Sequence, residues 1–345
     1  MSLLKKFKTI FLLISVMVVL LILLCFFLHQ EDNANVSSND KSDLDQQVSQ
    51  KRQTYNFLIM GQDDAANLCD VIMIASYNSE DKKIDVLQIP RDTYASYTKN
   101  SYRKLNGAVY FLGGPSEFAS FIELNLGIKI DYYLTTDMET IALAVDKLGG
   151  VEIDIQKDLF YSDPYQDLFI NLKAGKNILN GDEAIQFLRY RAGYLQGDIG
   201  RIDAQKIFLA SVMKKILDES NIYDIINIAL SIIDRVDTNI TPAICTKLVW
   251  DVYNIELGNI SFMTLPGEDV KTSMGTWYYV INKEQAFETI KHYFAPELSY
   301  ETFDKDRLFT SLYQKEFNII YDAVGKYKLE RYTADKICQN GINIK

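Results

Sequence analysis

Two groups of charged residues stand where strands and helices should end. Asp63 and Asp64 follow the Gly61 turn after one apolar run, and Asp70 opens the next. Carboxylates at the tips of neighbouring strands can share a hard cation such as Mg2+, which takes oxygen ligands and keeps several waters. Asp is also common in turns as a solvated residue, and spacing alone leaves both readings open. The second group is Arg91, directly after Pro90, with Arg189, Arg191 and Arg201. A guanidinium offers five donors in one plane, so several converging on one spot would clamp a pyrophosphate. Residues two apart cannot share a helix face, so Arg189 and Arg191 straddle a helix end and Arg191 enters the loop. Salt bridging to the nearby Asp92, Asp198 and Asp203 is the ordinary alternative.

The elements that must position these groups follow from periodicity. Short apolar runs at 56–60, 71–77 and 84–89 read as three successive strands, the last cut off by Pro90. Helical spacing appears at 106–112 and 116–126, each ended by Gly, then a strand at 128–134 and a helix at 140–148. Residues 151–155 alternate as a half-exposed strand does. Helices at 180–191 and 201–217 flank a Gly-rich loop and carry three of the arginines; further helices fall at 222–236 and 242–255, with strands at 260–265 and 276–281. Strands interleaved with helices predict an α/β fold, a mixed sheet covered by helices on both faces.

The chain has 345 residues, 48% hydrophobic and 24% charged, and a net charge of −10. That is too apolar for a disordered tail, and the acidic balance argues against a protein that works by neutralising nucleic-acid phosphates. The charge is uneven: residues 1–29 contain Lys5, Lys6 and Lys8 and no carboxylate, so removing their +3 leaves −13 downstream. After the 1–9 segment, residues 10–28 form a run of 19 without charge, Pro or Gly, about the length that crosses ~30 Å of hydrocarbon. The run exceeds a usual signal core and no small-x-small site closes it, which predicts an uncleaved transmembrane helix. Leu24 before Cys25 speaks against a lipoprotein signal. The lysines orient the N-terminus to the cytoplasm and the rest outside. Residues 29–54 are then a polar, extracytoplasmic stalk, whose flexible part spans roughly 25–30 Å.

Cys69, Cys245 and Cys338 are far apart, with no C-x-x-C and no nearby His, so neither a zinc site nor a disulfide framework is implied. Of the two histidines, His29 and His292, only the second lies in the outer domain, in the helical pattern 285–294 of a surface or interface residue. From 296 onward, with a helix at 312–324, about 50 residues are too few for a core of their own and read as a C-terminal extension packed on the domain.

The blocks "NFLIMGQD", "CDVIMIASYN", "DVLQIPRDTY", "KLNGAVYFLGG", "VDKLGGVEIDI", "LKAGKNILNGDEAIQFLRYRAG" and "DIGRIDAQKIFL", followed by "LPGE" and "GTWYYVINKE", occur in this order. This succession resembles the LytR-CpsA-Psr (LCP) family of membrane-anchored cell-wall enzymes, over a domain of residues 55–295. The resemblance implies a Mg2+-dependent phosphotransferase that moves a glycopolymer, such as teichoic acid, capsule or another wall polysaccharide, from a polyprenyl-pyrophosphate carrier to peptidoglycan, releasing polyprenyl phosphate. It implies metal-associated carboxylates at Asp63 and Asp70, and a pyrophosphate held by Arg91, Arg189, Arg191, Arg201 and Gln205. Asp70 or Asp198 would accept the proton of the attacking hydroxyl.

The sequence departs from the family pattern at two places where many members carry Arg, here Ala65 and Leu68. The remaining arginines suffice, Lys104 of "KLNGA" helps, or the chain is a weakened relative that binds polyprenyl lipid or wall polymer in a tethering or regulatory role. Apolar stretches at 110–112, 118–124 and 207–216 are candidates for a prenyl tunnel, as the family's lipid pocket would need, or simple core. A DNA-binding regulator is excluded by the acidic, outward-facing domain.

Overall fold

The computed structural model describes residues 54–63, 68–97, 104–165, 168–191, 193–194, 198–271, 275–303, 308 and 329–342, all within one compact unit, Arg52–Lys345. The apolar run at 10–28, the stalk up to residue 53 and the helix expected at 312–324 lie outside them. Among the described residues no helix is long and apolar enough to cross a membrane.

In chain order the elements are β1 (Thr54–Asp63), β2 (Leu68–Asn78), β3 (Lys83–Gln88), α1 (Ala108–Leu112), α2 (Pro115–Leu126), β4 (Tyr132–Thr136), α3 (Met138–Lys147), β5 (Val151–Ile155), β6 (Leu159–Asp163), β7 (Leu168–Leu172) and β8 (Gly175–Leu179). There follow α4 (Gly181–Arg189), α5 (Asp198–Glu219), α6 (Ile222–Ile233), α7 (Pro242–Val252), β9 (Ile260–Thr264), β10 (Gly267–Lys271), β11 (Trp277–Ile281), α8 (Lys283–Tyr293), α9 (Tyr300–Phe303), β12 (Arg331–Thr333) and α10 (Ala334–Asn340).

Six strands form one mixed sheet in the order β12-β9-β3-β2-β1-β4. β2 runs antiparallel to both β1 and β3, while β1 with β4 and β3 with β9 are parallel. Because side chains alternate along a strand, one sequence serves two cores. Leu58, Met60, Ile72, Ile74 and Leu87 join Phe118 and Ile122 of α2 and Phe287 and Ile290 of α8 on one face. Met73 and Val86 join Val145 of α3, Phe187 of α4, Ile207 of α5 and Ile337 of α10 on the other. Full burial of such a side chain contributes about 1.5–3 kcal/mol, which makes these two layers the main support of the sheet.

The strands run further than their apolar cores suggest, because hydrogen bonding continues past the last buried residue. The fourth begins at Tyr132 rather than 128. Asn56 explains this: its side-chain amide donates to Lys129 O at 2.8 Å, and its carbonyl accepts from Asp131 N at 2.9 Å. Residues 128–131 are thereby tied beside β1 without a ladder.

Periodicity did not reveal β6, β7, β8 or β10. β6 and β7 pair as an antiparallel hairpin, as do β10 and β11, while β5 pairs antiparallel with β8 on either side of the β6–β7 hairpin in sequence. β6, β7, β8 and β10 bury one face at most, so their sequences lack the continuous apolar runs of the central strands. The chain returns at its C-terminal end to the sheet, where β12 pairs with β9.

Two glycines mark close approaches. A Cβ on Gly61 would lie 2.9 Å from Val71 Cβ, and one on Gly181 would lie 2.5 Å from Ala142 O. The first lets β1 and β2 close beside the bulge at Gly61/Gln62, and the second lets α4 start against α3.

Candidate functional site

Asp70, two residues into β2, is the hub of the cluster. Its Oδ1 accepts from Arg91 Nη1 at 2.7 Å, and its Oδ2 faces Arg191 Nη2 at 3.3 Å and Arg201 Nη1 at 3.4 Å. Arg201 Nη2 also donates to the Asp70 carbonyl at 3.4 Å. Burial alone would raise the Asp70 pKa, but Arg91, then Arg201 and Arg191, outweigh it and hold the carboxyl below its ordinary value. The network continues through Arg91 to Asp92, 3.8 Å away, which accepts from Lys104 Nζ at 2.8 Å.

Each cation is positioned by an element end. β3 stops at Gln88, and Pro90 turns the chain so that Arg91 comes back over the start of β2. Helix α4 starts with a capping box between Asn180 and Glu183 and ends at Arg189; Tyr190 is extended, so Arg191 leaves the helix as the spacing requires. Arg201 and Gln205, four apart on α5, share a face. Both are nearly fully buried.

Arg189, Arg191, Arg201, Gln205, Asp70 and Gln62 line one cleft of about 580 Å³, closed opposite by Asp137, Glu139 and Tyr161. Counting Arg91, Lys104 and Asp92 behind it, five cations meet four carboxylates, Asp70, Asp92, Asp137 and Glu139, a surplus of one positive charge. In an acidic protein, guanidiniums gathered in one cleft make a local site for an anion.

The partners differ from those that nearness in sequence suggested. Asp92 does bridge Arg91, but Asp203 pairs with Lys206 at 3.1 Å, and the shared carboxylate is Asp70. Asp63 is the last residue of β1, opposite Leu68, and Asp198 the first of α5; their side chains, with Asp64 and Ala65, lie outside the described residues. Among the described residues no group of three or more His, Cys, Asp or Glu could hold a metal.

Gln88 was not anticipated. It is buried at the end of β3, and its Nε2 donates to Gln205 Oε1. With Oε1 engaged from behind, the Gln205 amide presents its N–H donors to the cleft. A glutamine ending an interior strand was the available signal, since buried polar groups need a partner.

Partly buried apolar side chains occupy the space beside the cleft. Phe57, Ile59, Val71 and Ala75 come from interior strands yet are only partly buried, as are Ile141, Leu209, Val212, Met213 and Val252 on the helices packed against that face. Val71 belongs to both this space and the cleft. Of the stretches considered for such a lining, 207–216 lies here. Phe118 and Ile122, by contrast, are wholly buried in the core of the opposite face, and Leu124 is exposed.

A layered α/β domain with an arginine-lined cleft bordered by partly buried apolar side chains defines a candidate anion-binding protein. The chain belongs to the LytR_cpsA_psr family, whose profile matches residues 25–294. It is 29% identical over 282 residues to the polyisoprenyl-teichoic acid–peptidoglycan teichoic acid transferase TagV of Bacillus subtilis (strain 168), covering 76% of this chain and 71% of that one. It is 30% identical over 249 residues to the transferase TagU of Bacillus cereus (strain AH820), covering 70% and 78%. The crystal structure of B. subtilis TagV superposes with a TM-score of 0.62 at 26% identity, over 72% of this chain and all of that one. That of B. subtilis TagU gives 0.52 at 25%, over 74% and 99%.

Proposed function

We propose that this protein transfers a wall glycopolymer from a polyprenyl-pyrophosphate carrier to peptidoglycan and releases polyprenyl phosphate. The observation that carries the reading is the convergence of Arg91, Arg191 and Arg201 on Asp70, beside the partly buried apolar side chains grouped with Val71. Such a pair of environments suits a molecule with a charged pyrophosphate and a hydrocarbon tail. The names of the TagV and TagU relatives support both donor and acceptor.

In the reaction an acceptor hydroxyl oxygen bonds to the phosphorus attached to the glycan. The bond from that phosphorus to the bridging oxygen breaks, the polyprenyl phosphate leaves with the electron pair, and the hydroxyl proton passes to a base. Phosphoryl transfer depends on position and charge neutralisation more than on covalent help. Arg189, Arg191, Arg201 and the Gln205 amide would hold the pyrophosphate, with Arg91 and Lys104 supporting from behind. The depressed pKa of Asp70 makes it a poor proton acceptor and favours Asp198 as the base.

Magnesium would supply further charge neutralisation. Asp70, on exchanging an arginine contact, and Asp63 at the neighbouring end of β1 would hold it, since Mg2+ is commonly bound by one or two carboxylates together with substrate phosphates. The apolar run at 10–28 would anchor the chain in the cell membrane with the catalytic domain outside.

The test is to incubate the full chain in detergent with a polyprenyl-pyrophosphate saccharide, peptidoglycan and Mg2+, and to follow polyprenyl phosphate. Release that stops with chelation is expected; donor bound and retained without release would instead fit a tethering relative.

A further inference from the structure

The hairpin of β6 and β7 has two unlike faces. Leu159, Ile170 and Leu172 are buried against the body, and Tyr161 and Leu168, further along the same face, line the arginine cleft. The register Phe160↔Asn171 and Ser162↔Phe169 puts two phenylalanines, a serine and an asparagine together on the other face. Phe160 is 50% exposed, Phe169 65% and Tyr165 at the turn 101%. Exposed rings gathered on one small ribbon mark an interaction surface.

We propose that this outer face, with Tyr165, docks the acceptor glycan strand, feeding a sugar hydroxyl past Tyr161 into the cleft; the inference rests on the transferase reading above. Two features select the occupant. One is continuity, since the same hairpin supplies a wall of the cleft. The other is charge: between Leu159 and Leu172 the sequence holds Asp163 and Asp167 and no Lys or Arg, and Lys173, over the Phe160 ring, is paired with Asp158. A surface without a cluster of basic residues has little attraction for an anionic lipid surface, whereas sugars present C–H faces to aromatic rings and hydroxyl or acetamido groups to carboxylates and amides. Diagonal neighbours on a ribbon lie ~7–8 Å apart, so two rings and the Ser162 and Asn171 side chains can contact successive sugars of one chain. Phe160 already carries Lys173 Nζ 4.2 Å from its ring centre, which leaves Phe169 and Tyr165 as the more open rings.

The test compares the full chain in detergent with the double variant Phe160→Ser, Phe169→Ser and with the aromatic control Phe160→Tyr, Phe169→Tyr. Each is measured for sedimentation with peptidoglycan sacculi stripped of wall polymer, for binding to phosphatidylglycerol vesicles, and for cleavage of the lipid-linked donor in the absence of acceptor. The proposal expects the serine variant to bind sacculi about tenfold more weakly, the tyrosine variant to bind as the unaltered chain does, and donor cleavage to be the same in all three. Unchanged sacculus binding in the serine variant overturns it, as does a loss confined to vesicles. Absence of polyprenyl phosphate release from the unaltered chain when sacculi are supplied with the donor would instead count against the transferase reading, while the sacculus comparison still decides for or against the hairpin.

Discussion

Asp70 and Arg91 meet at 2.7 Å across the tips of the neighbouring strands β2 and β3, and this contact ties the rest of the cluster together. Asp70 divides its two oxygens between Arg91 on one side and Arg191 and Arg201 on the other. The cations are thereby held close to one another before any anion arrives, which lowers the cost of assembling them around a substrate.

Asp70→Asn should therefore weaken the fold in a pH-dependent way. The folded pKa is depressed by the arginines, so the stabilisation is complete above the ordinary value of about 4 and is lost as pH falls through the lower, folded value. Urea midpoints should show the variant less stable at pH 7 and the gap closing as pH falls below the ordinary carboxylate value of about 4. A gap independent of pH would remove the ion pairs as its cause.

Gln88 should act through Gln205. Gln88→Leu removes the donor that engages Gln205 Oε1, leaving the amide free to rotate, and the donor KM should rise about 3–10-fold with a smaller change in kcat. Gln88→Glu offers only acceptors when ionised and should turn the Gln205 N–H groups inward, with a larger loss. Equal effects of the two substitutions on KM would show that Gln88 merely fills space.

Gly181→Ala tests the seat of α4. The new Cβ would press on Ala142 O, and overpacking of this kind costs about 1–3 kcal/mol. The thermal midpoint should fall by about 2–10 °C. Since α4 ends at Arg189, donor affinity should fall as well; an unchanged midpoint would mean that α3 and α4 separate freely.

The arginines were legible because their motifs lie at element ends, and the central strands because they are short continuous apolar runs, such as Phe57 to Met60 and Val71 to Ala75. The hub was not. Asp92, Asp198 and Asp203 stood nearest the arginines in the chain, but strand order, which sets β2 beside β3, decides that Asp70 is shared. The Gln88–Gln205 contact spans 117 positions, beyond any local pattern. The β6–β7 hairpin escaped notice because Phe160 and Phe169 lie on the solvent side, where an apolar period predicts polar residues.

The central claim is that the arginine cluster around Asp70 receives the pyrophosphate. It is tested most directly by the rate of polyprenyl phosphate release from a lipid-linked saccharide by the full chain, unaltered and with Arg91→Ala or Arg201→Ala. The account predicts a loss of about 100-fold or more for each, with thermal unfolding still cooperative. Release at the unaltered rate in both variants would contradict it.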